Sequence, residues 1–178
     1  MGNVFFHTAR SATLAFGLVC VSGMALADWQ GAVWNSSPKQ AGKDFRIRHR
    51  AATHAENTNW FGQAEIVFDN YRMGDLAFHK GALLFRDGKL REIWMSLKDT
   101  LLCEKLIAIL QATYGPADVS VLTASQADLY TWHDQTHNNQ IKVLHRQFDP
   151  KVVAFEDMCD LNYQPLQDGE DARPEEPR

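Results

Sequence analysis

The chain has 178 residues, of which 45% are apolar and 22% charged, and its formal net charge at pH 7 is −4. That length accommodates one ordinary domain, and the composition excludes a disordered chain. The acidic balance argues against nucleic acid as a partner.

Residues 1–27 read as a cleavable signal peptide. Arg10 gives the start its positive charge, Ser11 to Met24 is mostly apolar or small, and Ala25-Leu26-Ala27 matches the small-x-small cleavage pattern. Asp28 is then the mature N-terminus, and the protein is expected to be periplasmic or secreted. The apolar run is shorter than the ~20 residues that span a bilayer, and no other stretch approaches that length, so no membrane insertion is expected after cleavage. Cys20 lies in this run behind Val19, where a lipoprotein signal wants a small residue, so no lipid anchor is expected.

One domain is expected over residues 28–166. Asp28 to Trp34 (DWQGAVW) reads as an edge strand or a packed N-terminal arm. Asn35-Ser36-Ser37-Pro38 offers a helix cap followed by proline at the first helical position, and Gly42 keeps that helix brief. Asp44 to Arg50 (DFRIRHR) alternates Phe45, Ile47 and His49 against Arg46, Arg48 and Arg50, the pattern of a strand with one strongly basic face. Ala51 to Asn59 is polar and without period, hence a loop. Trp60 to Tyr71 is a predicted strand with Ile66 and Phe68 opposite Val67, and Tyr71 to Asp75 turns into the next element.

The most legible stretch follows, from Leu76 to Pro116. Asp87-Gly88 between two apolar runs signals a hairpin, because glycine tolerates the positive φ of a tight turn. Ile93, Met95 and Leu97 alternate with Glu92, Trp94 and Ser96 as in a half-buried strand. A helix capped by Asp99 or Thr100 then carries Leu102, Leu106, Ile109 and Leu110 on one stripe, and Gly115-Pro116 stops it. Ala117 to Ala127 reads as a linker containing the β-prone run Val119-Ser120-Val121-Leu122. Asp128–Asp134, Gln140–Gln147 and Lys151–Tyr163 are three further predicted strands, joined by Gln135–Asn139 and by Phe148-Asp149-Pro150. Residues 167–178 are rich in acids and proline with no bulky apolar residue, and are expected to be disordered.

The expected class is therefore α+β: an antiparallel β-sheet of about six to seven strands with one long α-helix packed across it. The order of elements suggests a loose duplication of a helix-plus-meander unit, although no sequence repeat accompanies it. Cleavage of the leader leaves Cys103 and Cys159, and two cysteines in an exported chain are expected to pair, stapling the helix to the last strand. The alternative is two buried thiols.

Several short motifs carry a resemblance. Trp34-Asn35-Ser36-Ser37-Pro38, the hairpin Phe85-Arg86-Asp87-Gly88-Lys89-Leu90, the helix end Tyr114-Gly115-Pro116 and Thr131-Trp132 resemble patterns in small, uncharacterised bacterial periplasmic α+β proteins. Some of these are related to inhibitor or assembly-factor folds that bind other proteins. The resemblance implies an envelope location and an α+β fold, and the families it points to mostly have no assigned activity.

The residues themselves offer few catalytic arrangements. No Gly-x-Ser-x-Gly elbow, phosphate loop, His-Glu-x-x-His or Cys-x-x-Cys occurs in the chain. Cys103 lies beside the apolar stripe of its helix, which disfavours a catalytic thiol, and Glu156 and Asp157 fall on opposite faces of a strand. No catalytic residue and no cofactor is expected. His133, Asp134 and His137 at a predicted hairpin, with His145 beyond, are a candidate zinc or copper site or else exposed loop residues.

Arg46, Arg48 and Arg50 stand out on an acidic protein. On one strand they would project at ~7 Å intervals, either as a docking face for oxyanion-bearing groups or as a solvated sheet face. Trp94 is out of phase with its buried neighbours and marks the sheet face away from the helix. The expectation is a non-enzymatic binding or inhibitor-like protein whose partner is an envelope protein or anionic macromolecule. A small periplasmic metal-binding protein is the alternative.

Overall fold

The computed structural model describes residues 29–123, 126–147 and 157–166. The leader, the acidic tail, the turn at Phe148-Asp149-Pro150 and the beginning of the last predicted strand lie outside the described residues. Twelve elements follow in chain order: α1 (Pro38–Asp44), β1 (His49–Ala51), α2 (His54–Asn59), β2 (Ala64–Met73), β3 (Leu76–Arg86), β4 (Lys89–Leu97), a 3-10 turn (Thr100–Leu102), α3 (Cys103–Tyr114), β5 (Asp118–Leu122), β6 (Ala127–Asp134), β7 (Asn139–Arg146) and β8 (Met158–Pro165). The strands form one sheet of eight in the order β1-β2-β3-β4-β8-β7-β6-β5, and every neighbouring pair is antiparallel.

The α+β class holds, with two corrections. The sheet has eight strands rather than six or seven, because Asp118–Leu122, read within a linker, pairs with β6. The helical part is three short helices rather than one long one, and α3 has only 12 residues. The strand order is two four-stranded meanders, each preceded by a helix, whose last strands β4 and β8 pair with each other. The duplicated layout is therefore present in space.

Local sequence explains most elements. Asp87 and Gly88 both have positive φ, 52° and 67°, the geometry of a type I′ turn that matches the twist of its flanking strands. Ser37 accepts a bond from the Gln40 backbone N–H and Pro38 opens α1, as its cap motif anticipated. Gly115, at φ +87°, ends α3, and its N–H donates to the Gln111 carbonyl. The segment read as a loop at Ala51–Asn59 contains α2 instead. Thr53 and Glu56 form a reciprocal capping box there, a signal present in the sequence as Thr-x-x-Glu.

The inner face of the sheet carries the main core. α1, the N-terminal arm and α3 cover it, burying Ala41, Cys103, Leu106, Ile107 and Leu110 against Phe68, Phe78, Ile93, Met95, Trp132 and Leu161. The buried stripe of α3 runs through Cys103, Leu106, Ile107 and Leu110, while Ile109 is 36% exposed. The same rotation brings Cys103 to Cys159 of β8, to which it is joined by a disulfide with Cα atoms 5.8 Å apart. The arm is a packed one and forms no strand. Trp29 stacks on Tyr163, and the Trp34 indole donates to Asn139 Oδ1 at 2.8 Å across the two meanders. The other sheet face bears a smaller cluster of Ala64, Val67, Ala82 and Leu84 with Trp60 and Trp94 against it.

Two stability predictions follow from this packing. Gly81 pairs with Phe68 across β2 and β3, and a Cβ at Gly81 would overlap the Phe68 ring. Gly81→Ala should therefore cost ~1–3 kcal/mol in urea unfolding, and an unchanged midpoint would contradict the packing. Removing the disulfide by a Cys103→Ala, Cys159→Ala double substitution should cost ~4 kcal/mol, because the crosslink closes a long loop in the unfolded chain.

Candidate functional site

The residues singled out from the sequence separate onto different parts of the sheet. Only Arg50 of the three arginines lies in a strand. α1 runs through Asp44, and the Phe45 backbone N–H caps it on the Ala41 carbonyl while its ring enters the core. Residues 45–48 therefore connect helix to strand, and the expected seven-residue strand shrinks to His49–Ala51. The alternation of exposure survives: Arg46, Arg48 and Arg50 are exposed, Phe45 is buried, and Ile47 and His49 are half-buried. Arg50 is engaged within the chain. Its guanidinium donates to both Glu56 oxygens at 2.8 Å, with Asp69 3.8 Å away. Hydrogen bonds from Arg50 and from the Thr53 backbone hold the Glu56 carboxyl far below the usual range, and Glu56 raises Arg50 in turn.

The histidines do not assemble. His133 and Asp134 are neighbours on β6 and so point to opposite faces. Asp134 Oδ1 accepts the backbone N–H groups of Thr136 and His137, and Oδ2 lies 2.7 Å from His137 Nδ1. His133 instead contacts Gln140 at 3.2 Å and lies 3.9 Å from Asp118. His145 is buried on the inner face, 3.4 Å from Glu104 of α3. Among the described residues no group of three or more His, Cys, Asp or Glu side chains is placed to hold a metal ion.

Trp94 does face away from α1 and α3. The register places Val67, Ala82, Trp94, Asn162, Lys142 and Thr131 in one row across six strands of the outer face. Over β1–β3 that face is covered by α2, and Trp60, just beyond α2, meets Trp94 edge-on with ring centroids 4.5 Å apart. From β4 to β5 no described helix covers it. Asp160, only 8% exposed, pairs there with Ser96 and Leu144, and half-buried Trp94, Asn162 and Lys142 form the next row along the outer face. Lys142 donates to Gln164 Oε1 at 3.1 Å, whereas Asp160 Oδ1 and Asn162 Oδ1 are buried without a hydrogen-bond partner among the described residues. Burial pushes the Asp160 carboxyl up, against the opposing influence of Ser96, Trp94, His79 and Arg146.

Beside the aromatic pair is a residue that the sequence reading placed in a strand. α2 ends at Asn59, the Phe61 and Gln63 amides close turns on Thr58 and Trp60, and β2 begins only at Ala64. Phe61 is left in the turn, 92% exposed, with φ +53°. A bulky residue in the left-handed region is strained, and a large aromatic in water forgoes its burial energy. The capping box at Thr53 would have revealed α2, and Gly62 the turn behind it.

Compared with known protein families, with curated proteins and with solved structures, the chain matches none. The functional reading rests on the outer face itself.

The Asp160 environment yields a pH prediction. A folded-state carboxyl raised above its unfolded value binds its proton more tightly when folded, so stability falls as pH rises from the ordinary Asp value through the raised one. Asp160→Asn should abolish that fall and leave the protein more stable than wild type at neutral pH, measured by urea unfolding across a pH series. Parallel curves for the two proteins would contradict it.

Proposed function

We propose that this protein is an exported, non-enzymatic binding or inhibitor-like domain that docks on another envelope protein through the outer face of its sheet. The observation that carries the reading is Phe61: a large aromatic side chain 92% exposed, at positive φ, beside the Trp60–Trp94 pair. Rigid, presented aromatics are the side chains on which protein interfaces concentrate their binding energy. The same strain and exposure cost the isolated fold stability, whereas a pocket on a partner would recover the burial of the ring. Phe61 and Trp94 act as the apolar anchors. Arg46 and Arg48 are exposed cations toward the β1 end, suited to acidic groups on the partner. Arg50 has the different task of holding α2 through Glu56. The Cys103–Cys159 disulfide accords with an oxidising compartment.

The test is site-specific photo-crosslinking in an envelope extract, using the chain from Asp28 to Arg178 with its disulfide intact. A crosslinker at position 61 should yield one dominant adduct, and one at Gln111, exposed on α3, should yield none of it. Phe61→Ala should weaken capture at least tenfold, as expected for an interface anchor, with the unfolding midpoint unchanged or slightly raised. The Arg46→Glu, Arg48→Glu pair should reduce the salt-sensitive part of capture. The same adduct from positions 61 and 111, or capture unchanged in a Phe61→Ala, Trp94→Ala double variant, would overturn the reading.

A further inference from the structure

The free edge of the sheet at β5 is the second surface that the fold leaves open, and it lies at the far end from Arg46 and Arg48. Among the described residues β5 pairs with β6 alone and no element lies beyond it, and all five residues of the strand are exposed. Exposed edges are ordinarily protected by lysine, proline, a bulge or a covering loop, because unpaired N–H and C=O groups template further strands. The run Asp118-Val119-Ser120-Val121-Leu122 contains neither lysine nor proline, and its register with β6 is unbroken. The opposite edge differs: β1 has only three residues, two of them the basic pair His49 and Arg50.

The side chains around this edge define what fits it. Val119 pairs with Tyr130 and Val121 with Asp128, so both valines project on the inner side of the sheet beyond the cover of α3. They are 57% and 66% exposed. Carboxylates flank them. Asp128 pairs with Val121 on one side and with His145 on the other, and Glu104 of α3 lies 3.4 Å from His145 on the same face. Asp118, at the start of β5, has a side chain 86% exposed.

We propose that β5 is a strand-addition site for an extended segment of a partner polypeptide that alternates apolar side chains against Val119 and Val121 and carries lysine or arginine at its flanks. The backbone edge admits only another extended chain, since nothing else matches its alternating donors and acceptors at strand spacing. The valines select apolar residues on one side of that chain. Asp118, Asp128 and Glu104 select basic flanks, and they disfavour a second copy of this chain pairing through its own β5, because that would gather the same acids from both copies around one seam. This surface is independent of Phe61 and Trp94.

The test uses two synthetic, fluorescein-labelled heptapeptides: Lys-Thr-Val-Thr-Val-Thr-Lys, whose two valines and two lysines share one face of an extended strand, and the same sequence with glutamate at both ends. Anisotropy titrations against the chain from Asp28 to Arg178 should show the lysine peptide binding at least tenfold more tightly, with a preference that shrinks as salt rises. Hydrogen exchange with the lysine peptide present should protect the amides of residues 118–122. Val121→Lys should lose at least tenfold in affinity, while a Phe61→Ala control should bind as wild type. Unfolding curves establish that Val121→Lys is folded, and Ser120→Lys, on the opposite side of the strand, is a second variant expected to retain more of the binding. The proposal is overturned by absence of binding, by equal affinity for the two peptides, by protection elsewhere than 118–122, or by wild-type affinity in Val121→Lys. It is also overturned if β5 becomes protected with rising protein concentration alone, which would make a second copy the occupant.

Discussion

The pairing of β4 with β8 is the constraint on which the rest of the molecule depends. Each meander alone would be a four-stranded sheet with an unpaired last strand. Joining them at Ile93↔Tyr163 through Ser96↔Asp160 turns two half-cores into one. Two further connections cross the same seam: the Trp34 indole bonds Asn139 from the first unit to the second, and Trp29 stacks on Tyr163. Within the second unit the disulfide fixes the start of α3 to β8. The Cys103 and Cys159 side chains are wholly buried, so their bridge belongs to the core.

That seam also decides where function can reside. α1, the N-terminal arm and α3 all pack on the inner face, and among the described residues only six-residue α2 lies on the other. The outer face is thus part-covered near β1 and open from β4 onward. Its open part is polar around a nearly buried carboxyl, its covered part is aromatic, and the boundary between them is Trp94. Phe61 projects from the end of the covering helix. An antiparallel sheet open on one side is physically ordinary; a strained, fully presented phenylalanine at its margin is not, and it costs the isolated protein stability.

The ends of the sheet are chemically distinct as well. At β1, cationic Arg46 and Arg48 flank an edge too short to template much. At β5, valines flanked by acids line an edge with little protection. The charge of the whole chain, −4, conceals this division, since a sum over residues says nothing about which side of a sheet carries which sign.

Much of this was legible in the sequence because it depends on neighbours along the chain. The Asp87-Gly88 hairpin, the alternation through Ile93, Met95 and Leu97, the Ser37-Pro38 helix start and the Gly115 stop are local, governed by φ preferences, capping and a two- or 3.6-residue period. α2 was legible too, in Thr53 and Glu56, but its polar composition hid it. The cysteine pair was inferred from compartment and count, and its geometry agrees. What the sequence could not determine is which strands meet at long range. Strand order, the β4–β8 seam, the rotation of α3 that buries Ile107 and exposes Ile109, and the capture of Arg50 by Glu56 all depend on packing between distant segments. The outer face follows the same rule: alternation showed that Trp94 pointed away from its buried neighbours, and only the tertiary structure decided that α2 would reach it through Trp60 and leave Phe61 in water.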